Sequence, residues 1–138
     1  MIEEKNIDLP KLLQSKSPGP SIETGVNVER IIHHIMEKKG DDIVVLDLRK
    51  ITSIADYFIV AQGNSNVQVK AIADEVKEKM AKEDGLHPWH VEGMEGQRWI
   101  LLDYVDIVVH IFDPKTRNYY DIEKLYEDAE SWRVKTDY

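Results

Sequence analysis

The sequence predicts an α/β (α+β) domain, a mixed sheet of about five strands flanked by helices. Three observations carry this. The runs IVVLDL (43–48) and YFIVA (57–61) are apolar without alternation and rich in β-branched residues, as in strands covered on both faces. Two stretches place apolar residues at helical spacing: Val28, Ile31, Ile32, Ile35 and Met36, then Val69, Ile72, Ala73, Val76 and Met80. Finally, RWILLDYVDIVVHIF (98–112) reads as a hairpin of two apolar strands.

Taken in order, residues 1–26 are polar and contain Pro18, Gly19 and Pro20, which break helix and strand alike. They are expected to be a flexible leader, with a domain over 27–130 and a tail over 131–138. Asn27 is an N-cap candidate for the first helix, which Gly40 ends. Gln62-Gly63-Asn64-Ser65 leads into the second helix, whose outer side carries Glu75–Lys79 and Glu78–Lys82 at favourable spacing. Gly85 terminates it. WHV (89–91) reads as a short strand and EGMEG as a link to the hairpin. Asp121 is a cap candidate for a last helix with the stripe Ile122, Leu125, Tyr126 and Ala129.

Composition excludes several classes. The 138-residue chain has no cysteine, so disulfides and thiolate metal sites are ruled out. Its 26 acidic and 18 basic residues leave a net charge of -8, so direct binding of naked nucleic acid is not expected. A basic protein partner suits that charge better. No run approaches the ~20 apolar residues of a membrane span, and MIEEKNIDLPKLLQ lacks the marks of a signal or transit peptide. The expectation is a cytoplasmic protein without membrane contact.

Candidate chemistry is sparse. Gly63-Asn64-Ser65 has the outline of a phosphate-holding turn, but one glycine without a nearby lysine fits an ordinary strand-to-helix turn better. Asp103 and Asp106 could be a metal-binding pair in a nucleotidyltransferase-like enzyme, yet they flank a turn and lack a convincing third acid. Neighbouring His33 and His34 diverge by ~100° on a helix. His87 and His90 in HPWH have no further ligands, whereas zinc needs three or four. No metal or other cofactor is expected.

The hairpin face is the unusual feature. Turned at Tyr104–Val105, it sets Asp103 opposite Asp106, Leu101 opposite Val108, and Trp99 opposite His110. Trp99, Leu101 and Val108 are too apolar for a solvent face, while Asp103, Asp106 and His110 are too polar for a core. Two readings stand: cover by the last helix with His110 hydrogen-bonded beneath it, or an apolar interface with a polar rim.

DYFIVAQGNSNVQVKAIAD (56–74), Glu92-Gly93, WILLDYVDIVVHIFD (99–113), Arg117, Tyr120 and IEKLYEDA (122–129) resemble the ribosomal silencing factor, or Iojap-like, family. The resemblance spans about residues 28–130. It implies a nucleotidyltransferase-like fold without the catalytic acids. It also implies binding to the large ribosomal subunit through its protein number fourteen, which obstructs subunit joining and represses translation. The ribosome-facing positions it implies are Trp99, Asp103, Tyr104 and Asp106, and a second copy of the chain is a further candidate partner. Where the family usually has glycine this chain has Val105, so either the turn differs or it is strained. The competing reading is an enzyme using Asp103 and Asp106.

Overall fold

Helix α1 covers Ile22–Glu37, so it starts well before the expected cap, and Asn27 lies inside it. In this computed structural model the described residues are 3–4 and 22–138; the rest of the expected leader, including LPKLLQ, lies outside them. A glycine inside a helix costs roughly 0.5–1 kcal/mol, and Gly25 is such a residue. Buried Val28, Ile31, Ile32 and Ile35 outweigh that cost. The chain leaves α1 through Lys39 at φ 60, with the Gly40 N–H on the Ile35 carbonyl at 3.0 Å.

The remaining elements are β2 (Asp41–Asp47), β3 (Tyr57–Gln62), α2 (Asn66–Asp84), β4 (His90–Glu92), β5 (Trp99–Asp103), β6 (Ile107–Phe112), α3 (Pro114–Tyr120), α4 (Ile122–Leu125) and β7 (Glu130–Arg133). A two-residue strand, β1 (Glu3–Glu4), precedes α1. Among the described residues the mixed sheet has seven strands in the order β1-β7-β2-β3-β6-β5-β4, rather than about five. At its centre β3 runs parallel to β6, and β2, β5, β4 and β7 pair antiparallel. Strand β7 takes in residues 131–133 of the expected tail, with Trp132 opposite Val45. Its four residues lack an alternating pattern and gain their partners only from the exposed edge of β2.

Both faces of β2, β3 and β6 are covered, as the non-alternating sequences of β2 and β3 predict. On one side α1 and α2 pack over Ile43, Val45, Ile59, Ala61, Ile100, Leu102, Val109 and Ile111. The buried stripe of α2 is Val69, Ile72, Ala73, Val76 and Met80, of which Val69, Ile72, Val76 and Met80 each contribute about 1.5–3 kcal/mol by burial. Ser65 caps this helix by accepting from the Gln68 N–H at 3.1 Å, and Gly85 ends it at φ 64. The glycine–asparagine–serine turn is thus satisfied as a helix cap.

The other side of the sheet holds Val44, Leu46, Phe58, Val60, Val108 and Phe112, under Ile122, Ala129 and Tyr126. Here the expected single helix is two short pieces. Pro114 opens α3 behind the Asp113 cap, and Asp121 at φ 46 breaks the chain before α4. Leu125, read as core, is 74% exposed. Buried Arg117 fixes the break by donating to the Glu123 carboxylate at 2.8 Å and to the Asp42 carbonyl at 2.7 Å. Asp42 also pairs with Arg133 of β7. This ion network ties α3, α4 and β7 to one corner of the sheet and so sets the position of Tyr119 and Tyr120. Among the described residues no helix is long and apolar enough to cross a membrane.

Candidate partner-binding face

The hairpin turns one residue later than its sequence suggests, which shifts the strand pairing by two residues. Trp99 pairs with Phe112, Leu101 with His110, and Asp103 with Val108. Val105 and Asp106 form the loop, closed by the Tyr104 N–H on the Ile107 carbonyl at 2.8 Å. Two local choices set this register. Val105 adopts φ 74, and its N–H donates to Asp103 Oδ1 at 2.8 Å. Because side chains alternate with period two, a slip of two residues leaves each on its expected face. The facing pairs change; the face's composition does not.

Val105 therefore does carry the strain that its side chain implies. A non-glycine residue in the left-handed region costs about 1–2 kcal/mol, against about 0.5–1 kcal/mol of extra chain entropy that glycine loses on folding. Val105→Gly is expected to raise stability by roughly 0.5–1 kcal/mol, read from urea unfolding. A lower midpoint would mean that the valine rests there without strain.

The seven expected site residues do not all share one environment. Trp99, Leu101 and Asp103 are half-buried on the mixed face, and Asp106 is exposed at the loop. Val108 and His110 lie beneath that surface at 5% and 4% exposure. Tyr104 falls on the opposite face, in the core beneath α1 and α2, where burial raises its phenol pKa. Strand alternation alone separates Tyr104 from Asp103. The reading of His110 as covered agrees with the structure: Phe58 meets its ring edge-on at 4.5 Å, and Tyr126 packs on Phe58 at 5.2 Å. Cover stops there, leaving Trp99 and Leu101 at its margin.

Trp99 is braced on several sides. Its indole N–H donates to His110 Nδ1 at 3.1 Å, its ring stacks on Phe112 at 4.8 Å, and Tyr120 leans on it at 4.8 Å. A large aromatic held in one pose loses little entropy on docking, which suits an interface anchor. Tyr120 is 53% exposed and Tyr119 is 81% exposed, extending the aromatic surface beyond the hairpin. Sequence reasoning missed both as site residues, because a seven-residue helix shows no periodicity to orient them. On the other flank, edge strand β4 sets exposed His90 opposite Asp103 and exposed Glu92 opposite Leu101.

A cleft of about 680 Å³ opens beside Trp99, lined by Gly93, Arg98, Lys115, Tyr119 and Tyr120 among others. Gly93 shapes its wall: at φ 87, an added Cβ would sit 1.9 Å from the Trp99 carbonyl oxygen. Only glycine lets the loop approach β5 this closely.

Burial pushes the His110 imidazole down to about 3, so it stays neutral at physiological pH and keeps Nδ1 free to accept from Trp99. An unfolded chain takes up a proton below about 6.5 that the folded chain refuses. Stability is therefore expected to fall as pH drops from about 6.5 toward 3, with this group contributing up to about 1.4 kcal/mol per pH unit. Urea unfolding at successive pH values checks this, and His110→Phe should flatten the slope. An unchanged slope in that variant would remove His110 as its source.

Asp103 commits one oxygen to the turn, and neither it nor Asp106 belongs to a group of three potential metal ligands among the described residues. Asp56 lies close by, its carboxyl raised first by burial and then by the charge of Asp106. This end of the face is acidic surface.

The chain matches the family model "Ribosomal silencing factor during starvation" over residues 21–137. It is 45% identical over 93 residues to the ribosomal silencing factor RsfS of Bacillus subtilis, covering 67% of this chain and 78% of that protein. It is 44% identical over 98 residues to the RsfS of Halalkalibacterium halodurans, covering 71% and 83% of the two chains. A crystal structure of a Chromobacterium violaceum protein superposes with a TM-score of 0.71 at 43% identity, over 74% of this chain and 84% of that one. With the family model spanning nearly all of the described domain, and the same fold in a solved relative, this chain belongs to the ribosomal silencing factor family.

Proposed function

We propose that this protein represses translation by binding the large ribosomal subunit through its protein number fourteen, obstructing the small subunit's approach. The observation that carries the reading is the braced, half-exposed Trp99 beside Leu101, on a face that the last helices leave uncovered. The binding is stoichiometric and non-catalytic, and takes place in the cytoplasm. Family membership supplies the ribosome as target; the hairpin face supplies a surface of the right kind, with an apolar centre and a polar rim.

Charge supports a basic partner. The chain carries -8 overall, and Asp103, Asp106 and Glu92 stand around the apolar centre. Such rim charges steer encounter more than they hold the complex. Co-sedimentation with purified large and small subunits tests the proposal: the protein should pellet with the large subunit and reduce formation of the joined ribosome. Pelleting with neither subunit, or unimpaired joining at saturation, would contradict it. Asp106→Asn should weaken association by a few-fold at low salt, with the difference shrinking as ionic strength rises. A salt-independent loss would place Asp106 inside the interface rather than at its rim.

A further inference from the structure

The histidines of α1 look unpromising in sequence, since neighbours on a helix point apart. Helical spacing changes this: Glu37, four residues after His33 and three after His34, reaches between them. His34 Nδ1 lies 2.8 Å from Glu37 Oε1, and His33 Nε2 lies 3.6 Å from the same oxygen. One donor atom from each of the three residues falls within 4.8 Å of the others. We propose that His33, His34 and Glu37 form a binding site for a divalent borderline metal ion, with Zn²⁺ the leading candidate.

The chemistry and geometry agree. Two imidazoles and a carboxylate are the N/O donors that suit zinc and its neighbours, whereas calcium and magnesium prefer all-oxygen sites. Tetrahedral zinc holds such donors about 2.0–2.2 Å away, which separates them from one another by roughly 3.3–3.5 Å. The His33–Glu37 spacing nearly meets this. The His34–Glu37 contact must open by a few tenths of an ångström as the metal replaces the bridging proton. Any remaining closure falls to His33 and Glu37, whose side chains are 69% and 39% exposed and free to adjust. His34 is the fixed point: its side chain is 2% exposed and held by the core.

Position adds to this. The three residues occupy the last turns of a 16-residue helix, where the negative end of the helix dipole favours a cation. The Glu37 carboxyl is lowered first by its hydrogen bond with His34 and only last by the charge of Lys79 of α2, which opposes the metal by like charge. Three protein ligands leave a fourth position for water or for a side chain of a docked molecule. The site lies on the sheet side covered by α1 and α2, away from Trp99, so a partner on the hairpin face leaves it accessible. Since α1 forms through apolar packing, the metal is an addition to a folded domain.

Titration of untagged, chelator-dialysed full-length protein with Zn²⁺ by calorimetry tests the proposal. Saturable 1:1 binding is expected, together with the intensified visible absorption of four-coordinate cobalt when Co²⁺ is used instead. His33→Ala and Glu37→Gln, both at exposed side chains, should each weaken binding by about tenfold or more and abolish the cobalt spectrum. Lys79→Ala should tighten it. His34→Ala removes a buried ring, so it is read only alongside circular dichroism. Binding that does not saturate, or that survives both His33→Ala and Glu37→Gln unchanged, overturns the proposal; survival would move the metal to another group such as His87 and His90. Trp99→Ala should leave zinc binding intact, so failure here is separable from failure of ribosome binding.

Discussion

Val109→Asp is expected to leave the chain unfolded. Val109 is 0% exposed and faces the core beneath α1 and α2, opposite Leu102 and beside Ile59 in the central parallel pair. The side chains clustered with it, such as Ile59, Leu102 and Ile111, are apolar, so the carboxylate would be set among groups that cannot pair with it. Burying such a charge costs far more than a buried polar group's few kcal/mol, unless the acid takes a proton instead. Either way the cost is comparable to the whole stability of a domain this size, about 5–15 kcal/mol. Circular dichroism and a urea titration give the readout. A cooperative transition near the parent midpoint would show that β6 tolerates a charge there and that its inner face is not core.

Trp99→Ala should have the second-largest effect, on binding rather than on folding. The indole is half-buried and sits at the margin of its hydrophobic cluster, so its loss is tolerable to the fold. As an interface anchor it is worth about 2 kcal/mol or more, which is roughly a 30-fold loss of affinity for the large subunit. Removing it also leaves His110 Nδ1 without its donor. Trp99→Phe separates the contributions: it keeps an aromatic ring against Phe112 and Tyr120 but loses the hydrogen bond. We expect intermediate affinity from that variant. If Trp99→Ala unfolds as Val109→Asp does, Trp99 belongs to the core; if it folds and binds normally, the partner surface lies elsewhere.

These two variants differ by one face of one hairpin, and that difference was legible without coordinates. Alternation assigns Trp99, Leu101 and Asp103 to one side and Ile100 and Leu102 to the other, whatever the register. Tyr104, expected at the turn and facing the partner, takes the inner side because the loop lies at Val105–Asp106. Pairing was not legible. The two-residue offset comes from Val105 entering the left-handed region and from Asp103 capping its N–H, and neither has a periodic signature.

The stripes of α1 and α2, the cap at Ser65, the stop at Gly85 and the two-sided burial of β2 and β3 were determined by local sequence alone. Their causes act within a few residues: helical spacing, side chain to backbone hydrogen bonds, and the glycine at positive φ. What only the tertiary structure decided depends on residues distant in the chain. Strand β7 exists because the edge of β2 offers unpaired backbone groups to a segment of weak intrinsic preference. The break between α3 and α4 is held by Arg117 reaching Asp42, 75 positions away. His110 is neutral, and Trp99 oriented, because Phe58 packs on the imidazole and Tyr126 packs in turn on Phe58, from two other parts of the chain. Short-range rules determine which face each residue takes; how deeply it is covered is set by what folds back over it.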